Sequence, residues 1–172
     1  RGARLPGRVR SGRPATATSP ALGGSGGALM RLSTRGRYSV TTIMDLALHE
    51  GGGPVALADI SARQGLSLSY LEQLFAQLRR HGLVRGVRGP GGGYRLARPA
   101  DRISIADIIL AVEQPVDATA CAGDEDCEAG SRCLTHDLWA ELSGHIQTFL
   151  AGISLAELSA DPQLVELAAG GA

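Results

Sequence analysis

Residues 57–96 read LADISARQGLSLSYLEQLFAQLRRHGLVRGVRGPGGGYRL. Leu57 to Gln64 has the texture of a short helix with Ile60 inward, stopped by Gly65. Ser67 or Ser69 then caps a second helix through Leu71, Leu74, Phe75 and Leu78 to His81, with Gly82 as its stop. Two helices joined by so short a turn form the outline of a helix-turn-helix. Leu83, Val84 and Val87, then Tyr94, Arg95 and Leu96, alternate as short strands around a Gly89–Gly93 tip that contains Pro90. That hairpin is the wing of a winged helix. Its glycines are no dinucleotide fingerprint, because no G-x-G-x-x-G opens a helix there.

Working outward, Tyr38, Val40, Ile43, Met44, Ala47 and Leu48 recur at three- and four-residue steps, a helix with one apolar face that Gly51–Pro54 ends. Downstream, Ser104 to Glu113 reads as a further helix, with Ser104 and Asp107 spaced as a capping pair. Leu138, Trp139, Leu142, Ile146, Phe149 and Leu150 trace a long amphipathic helix from near Thr135, and Ser154 with Glu157 caps a short last one. The expected class is mainly α with a small β-hairpin wing, a winged helix-turn-helix plus a long dimerisation helix. The long helix carries more apolar surface than one small core needs, so a second copy packed in two-fold symmetry is its natural partner.

The third helix of such a fold lies in the major groove of double-stranded DNA, with residues near its N-terminus at the base edges. Ser67, Ser69, Tyr70 and Gln73 stand there. Gln73 suits adenine in a bidentate contact, while Ser and Tyr more often hold the backbone. Arg88 at the wing base, and Arg31, Arg35 and Arg37 at the start of the first helix, are placed for phosphate. Glu72 has two readings: a capping box with Ser69, or selectivity through repulsion and acceptance from cytosine. For each arginine alone, a solvated surface residue is the plainer reading.

Charge supports that division. Formal net charge is zero, yet residues 30–102 carry eleven arginines against five acids, and residues 103–172 carry Arg132 alone against twelve acids. There is no lysine. A basic half facing a polyanion, with an acidic half doing something else, fits the asymmetry. Residues 1–29, with five arginines, no acid and few large apolar residues, are expected to be disordered or a mis-called extension ahead of a start at Met30. They also resemble a transit peptide in composition. No apolar run is long enough for a membrane span.

All three cysteines lie in CAGDEDCEAGSRCLTH, residues 121–136, at Cys121, Cys127 and Cys133, and His136 follows. The acids and glycines around them cannot make an apolar core for buried thiols. An odd count also argues against a disulfide scaffold. Three sulfurs and an imidazole are soft or borderline donors, suited to zinc or a small iron–sulfur cluster. The two five-residue gaps suit a wide two-iron rhomb better than a tight zinc knuckle, although zinc tolerates long spacers. No nucleophile–base constellation is present, and four protein ligands would leave a metal no open position, so an enzyme is not expected. The domain division is residues 30–102 for the winged helix, 103–160 for the metal loop and dimerisation helices, and 161–172 as a tail.

MRLSTRGRYSVTTIMDLAL (residues 30–48), PVALADISARQGLSLSYLEQLF (54–75), VRGPGGGYRL (87–96) and the C-x5-C-x5-C-x2-H run ending in CLTH resemble the IscR family of bacterial iron–sulfur cluster regulators. The resemblance runs from Met30 to about Leu158. It departs at the N-terminal extension and at an early stop after the last helix. It implies that Cys121, Cys127, Cys133 and His136 hold a [2Fe–2S] cluster supplied by the cluster-assembly machinery. It also implies a cytoplasmic homodimer that regulates cluster-assembly genes, usually as a repressor. Other readings stay open: a zinc-stabilised DNA-binding regulator without sensing, a nitric-oxide or redox sensor of the same fold, or an electron carrier.

Overall fold

The computed structural model describes residues 32–119, 132–163 and 166. Six helices and one hairpin follow in order: α1 (Thr34–His49), α2 (Leu57–Gln64), α3 (Leu68–Arg80), β1 (Val84–Val87), β2 (Gly93–Leu96), α4 (Ile105–Leu110), α5 (His136–Ala151) and α6 (Leu155–Ser159). The strands pair antiparallel with Val84 opposite Leu96 and Val87 opposite Gly93. Val55, just before α2, adds a bridge to the hairpin: its N–H donates to the Tyr94 carbonyl at 2.9 Å and its carbonyl accepts from Tyr94 at 2.8 Å. The wing is thus tied to the entrance of the helix-turn-helix as well as to itself.

Local chemistry sets the boundaries. Ser67 is the N-cap of α3, its hydroxyl accepting from the Tyr70 N–H at 3.3 Å. At the other end Gly82 takes φ +66°, a left-handed turn that lets Leu83 leave toward β1. The expected capping box between Ser69 and Glu72 does not form. The helix starts two residues earlier than that reading requires, so Ser69 lies in its first turn and both side chains face solvent. The boxes at Ser104–Asp107 and Ser154–Glu157 do form, each with both reciprocal bonds. The fourth helix is shorter than expected, ending at Leu110 with a tight turn through Val112 and Glu113.

One core joins the two halves. Ile43 and Leu46 of α1, Ile60 of α2, Leu71, Leu74, Phe75 and Leu78 of α3, and the hairpin's Val84 and Leu96 pack with Ile103, Ile105, Ile108 and Leu155. Phe75 meets the Tyr94 ring edge-on at 4.9 Å, locking α3 to the wing. A second bridge, Ser104 to Ser154, fastens α4 to α6. The α1 N-terminus is held from α4: Ser33 caps α1 and its hydroxyl donates to the Glu113 carboxylate, which fills the space where a side chain at Gly36 would go.

An unforeseen polar network braces α1 against α2. Asp45 is buried, and its carboxylate accepts three guanidinium bonds from Arg63, the shortest 2.6 Å, and one from Gln64 at 2.7 Å. That hydrogen bond to Asp45, then the carboxylate's charge, outweigh burial and raise the Arg63 pKa. His49 bonds the Asp45 carbonyl at 2.8 Å, a packing role rather than an exposed one.

Candidate DNA-reading face and cluster site

Ser67, Ser69, Glu72 and Gln73 are exposed together along the first turns of α3, and Tyr70 is half-buried among them. Their exposure follows from the core face: Leu71, Leu74, Phe75 and Leu78 turn inward, which points the intervening positions out. Tyr70 is not loose. Its ring packs edge-on against Tyr38 of α1 at 6.1 Å, and Arg35 lies close enough for its charge to act on the phenol. Burial raises the Tyr70 pKa and Arg35 opposes it, leaving a neutral hydroxyl able to donate. The N-terminal ends of α1 and α3 therefore meet on one surface through Tyr38, Tyr70 and Arg35, and Arg37 is exposed in the first turn of α1. Arg88 is exposed at the base of the wing tip, where Gly89 and Gly91 turn the chain with positive φ. Arg31 lies outside the described residues.

The other candidate site is only partly described. Cys121 and Cys127 lie outside the described residues. Cys133 and His136 are present, one turn apart, with the His136 N–H donating to the Cys133 carbonyl at 3.2 Å. His136 opens α5 and is buried, with 4 % of its surface exposed. Thr135 between them accepts from the Trp139 indole N–H at 3.2 Å. Arg132 pairs with Asp137, putting a cation and an anion beside the helix start.

Behind His136 is a polar seam that the sequence reading missed. Asp117 accepts from the Thr119 N–H at 2.7 Å and from the Ser143 hydroxyl at 3.3 Å. Ser143 in turn accepts from the Ala118 N–H at 2.8 Å. Burial alone would raise the Asp117 carboxyl; the Thr119 N–H and hydroxyl, the Ser143 hydroxyl and the nearby His136 ring together hold it below its ordinary range. The only signal in sequence was the seven-residue spacing of Ser143 from His136, which puts both on one side of an amphipathic helix.

A family model described as Rrf2, iron-dependent transcriptional regulator, matches residues 32–161. The chain belongs to the Rrf2 family. Within it, the chain is similar to the HTH-type transcriptional regulator IscR of Xenorhabdus nematophila, 58 % identical over 139 residues, covering 81 % of this chain and 85 % of that one. The IscR of Sodalis glossinidius is 56 % identical over 138 residues, with 80 % and 84 % covered. Among solved structures, T. potens IscR matches with a TM-score of 0.63 at 41 % identity, over 74 % of this chain and 85 % of that one. CymR, the global cysteine regulator of B. subtilis, matches with a TM-score of 0.65 at 33 % identity, over 75 % and 95 %. The winged helix-turn-helix, the DNA-binding regulator class and the likeness to IscR expected from sequence all hold, and these relatives are regulators rather than enzymes. No helix among the described residues is long and apolar enough to cross a membrane.

The Rrf2 description invokes iron, and the donors here fit it. A thiol and an imidazole sit on one turn at the positive end of a sixteen-residue helix, where the dipole favours an anionic thiolate-ligated centre. Cys121 and Cys127 supply two further sulfurs in sequence.

Proposed function

We propose that this Rrf2 protein is a [2Fe–2S]-sensing transcription regulator, usually a repressor, of iron–sulfur cluster-assembly genes. The observation that carries the reading is His136, buried in the first turn of α5 beside Cys133, in a chain whose IscR relatives match over most of their length. Cys121, Cys127, Cys133 and His136 would hold the cluster, delivered by the assembly machinery. When bound, it supplies a group whose presence reports iron–sulfur supply. The chain's own residues do the rest. Ser33 and Glu113 link the turn after α4 to the start of α1, beside Arg35. On DNA, Gln73 and Glu72 would face base edges, Ser67, Ser69 and Tyr70 the sugar–phosphate backbone, and Arg31, Arg35, Arg37 and Arg88 phosphates.

Two copies would act together. Leu134, Leu138, Trp139 and Phe149 are exposed, while the only residues that α5 buries are the polar His136 and Ser143. A helix that leaves Leu138, Trp139 and Phe149 uncovered by its own domain is suited to a second copy. The functional division we assign keeps residues 30–102 for DNA and 103–160 for cluster and dimer, with 161–172 as a tail and 1–29 outside both.

Anaerobic purification tests the reading directly. An absorption spectrum with visible bands and equal iron and acid-labile sulfide, near two of each per chain, is the expected result. A colourless protein that binds zinc tightly would overturn it in favour of a structural zinc site. Gel shifts with promoter DNA separate a regulator from an electron carrier.

A further inference from the structure

Three of the residues around the start of α5 do something the ligand set alone does not account for. His136 and Ser143 are seven apart, so they project within about 20° of each other on the helix. Both are buried, at 4 % and 8 % exposure, although the helix lies otherwise open. Ser143 is covered by the segment ending at Thr119, itself 3 % exposed, two residues before Cys121 in sequence. That segment has three polar anchors: Asp117 Oδ1 to the Thr119 N–H at 2.7 Å, Asp117 Oδ1 to Ser143 Oγ at 3.3 Å, and the Ala118 N–H to Ser143 Oγ at 2.8 Å. Ser143 also donates to the Trp139 carbonyl at 2.8 Å, so its hydroxyl is shared between its own helix and the clamp. A turn closed on itself by an aspartate, and then stapled to a serine, holds residues 117–119 against the side of α5.

We propose that Asp117, acting through Ser143, is a positioning residue for the His136 ligand: it clamps the segment entering the cysteine loop onto the face of α5 that carries the histidine. The proposal rests on the cluster reading above and adds a residue to it. Metal-site ligands are commonly oriented by a partner one bond removed, and loss of that partner costs about 10–100-fold in metal retention. Asp117 works here as a hydrogen-bond acceptor. An amide at the same position keeps an acceptor oxygen for Thr119 and Ser143, so Asp117→Asn should preserve the clamp, whereas Asp117→Ala and Ser143→Ala should release it.

The test measures the rate of cluster loss to an iron chelator in anaerobic holoprotein, with visible circular dichroism of the cluster and thermal melts of the apoprotein alongside. Asp117→Ala and Ser143→Ala should each lose cluster about 10-fold faster than the parent and alter the dichroism. Their apo melts should stay close to the parent's, and Asp117→Asn should stay within about 2-fold of the parent rate. In a His136→Ala background, Asp117→Ala should add less than about 2-fold, because the residue it positions is gone. Parent-like rates for both alanine variants, full additivity with His136→Ala, or an Asn variant as fast as Ala would each overturn the proposal while leaving the cluster reading intact. A parent protein that takes up no iron or sulfide would overturn both.

Discussion

The DNA contact we propose gives Gln73 and Arg88 two different jobs, and a substitution at each separates them. Gln73 is exposed in the second turn of α3, with donor and acceptor on one planar group. Gln73→Ala is expected to weaken the preferred operator by about 1–3 kcal/mol while sparing random DNA. Arg88→Ala should weaken all sequences alike and lower the salt slope by about one, which titrations across salt concentration on both DNAs would measure. Equal losses on both for Gln73→Ala would remove it from the reading set. Gly93 shows the opposite constraint, imposed by backbone. An added Cβ there would run into the Val55 carbonyl and lie 2.9 Å from the Ala56 nitrogen, and neither can swing aside. Gly93→Ala should therefore cost about 2–3 kcal/mol in denaturant titration, by forcing the Val55 bridge off the wing. The tip glycines were legible as a turn; the need for glycine at 93 was not, because Val55 lies 38 residues away and its pairing leaves no local pattern.

Elements repeat that lesson. α2, α3 and the hairpin could be read directly because each carries its own periodicity and its own stop, Gly65 or Gly82. Residues that join elements were harder. Asp45 sits between the inward Ile43 and Leu46 and looks like one acid in a basic half, yet it is the brace between α1 and α2. A carboxylate on a core-facing stretch was the available clue, since such a charge needs a partner. Asp45→Ala strands the partly buried Arg63 and loses four bonds, so it should destabilise the fold by about 3 kcal/mol in urea titration; a loss under about 1 kcal/mol would show that solvent replaces the brace. The last helix offers a pH test. Glu157 accepts from the Ser154 N–H and then its hydroxyl, and these bonds lower its carboxyl below the ordinary 4.5. A depressed folded value means the contribution is complete above about pH 4.5 and fades as pH falls through the lower folded value. Glu157→Gln should accordingly remove part of the acid-side decline in melting temperature and leave the neutral-pH dependence flat.

For the whole molecule, the proposed function requires that a centre near α5 act on α3. The cysteine run stood out in sequence because three thiols and a histidine were gathered among acids; the contacts that could join the two sites did not, because they pair side chains far apart in the chain. Two such contacts stand out. The segment after Glu113 is anchored to Ser143 at one end, and at the other Glu113 bonds the Ser33 cap of α1, whose first turns lie against Tyr70. α1 packs on α4 and α6 as well as on α2, so a shift at α4 reaches the reading face through one continuous core. Coupling requires only that ligation change the relative free energy of DNA-competent states, typically by about 1–3 kcal/mol, a factor of about 5–150. Cys121→Ala, Cys127→Ala and Cys133→Ala should each abolish the visible chromophore and leave a folded, helical dimer, because the run that carries them is acidic and glycine-bearing and offers little apolar surface to a core. His136→Ala should give a labile cluster, since one nitrogen ligand exchanges more readily than thiolate. Once cluster-free, all four should shift operator affinity in one direction and by similar amounts, reporting a single apo state, and should rank two promoter sites differently from holoprotein. Gel shifts of holo, apo and the four variants on both sites measure this. If apo and holo proteins bind every site equally, the cluster is structural and the path through Glu113 carries no signal.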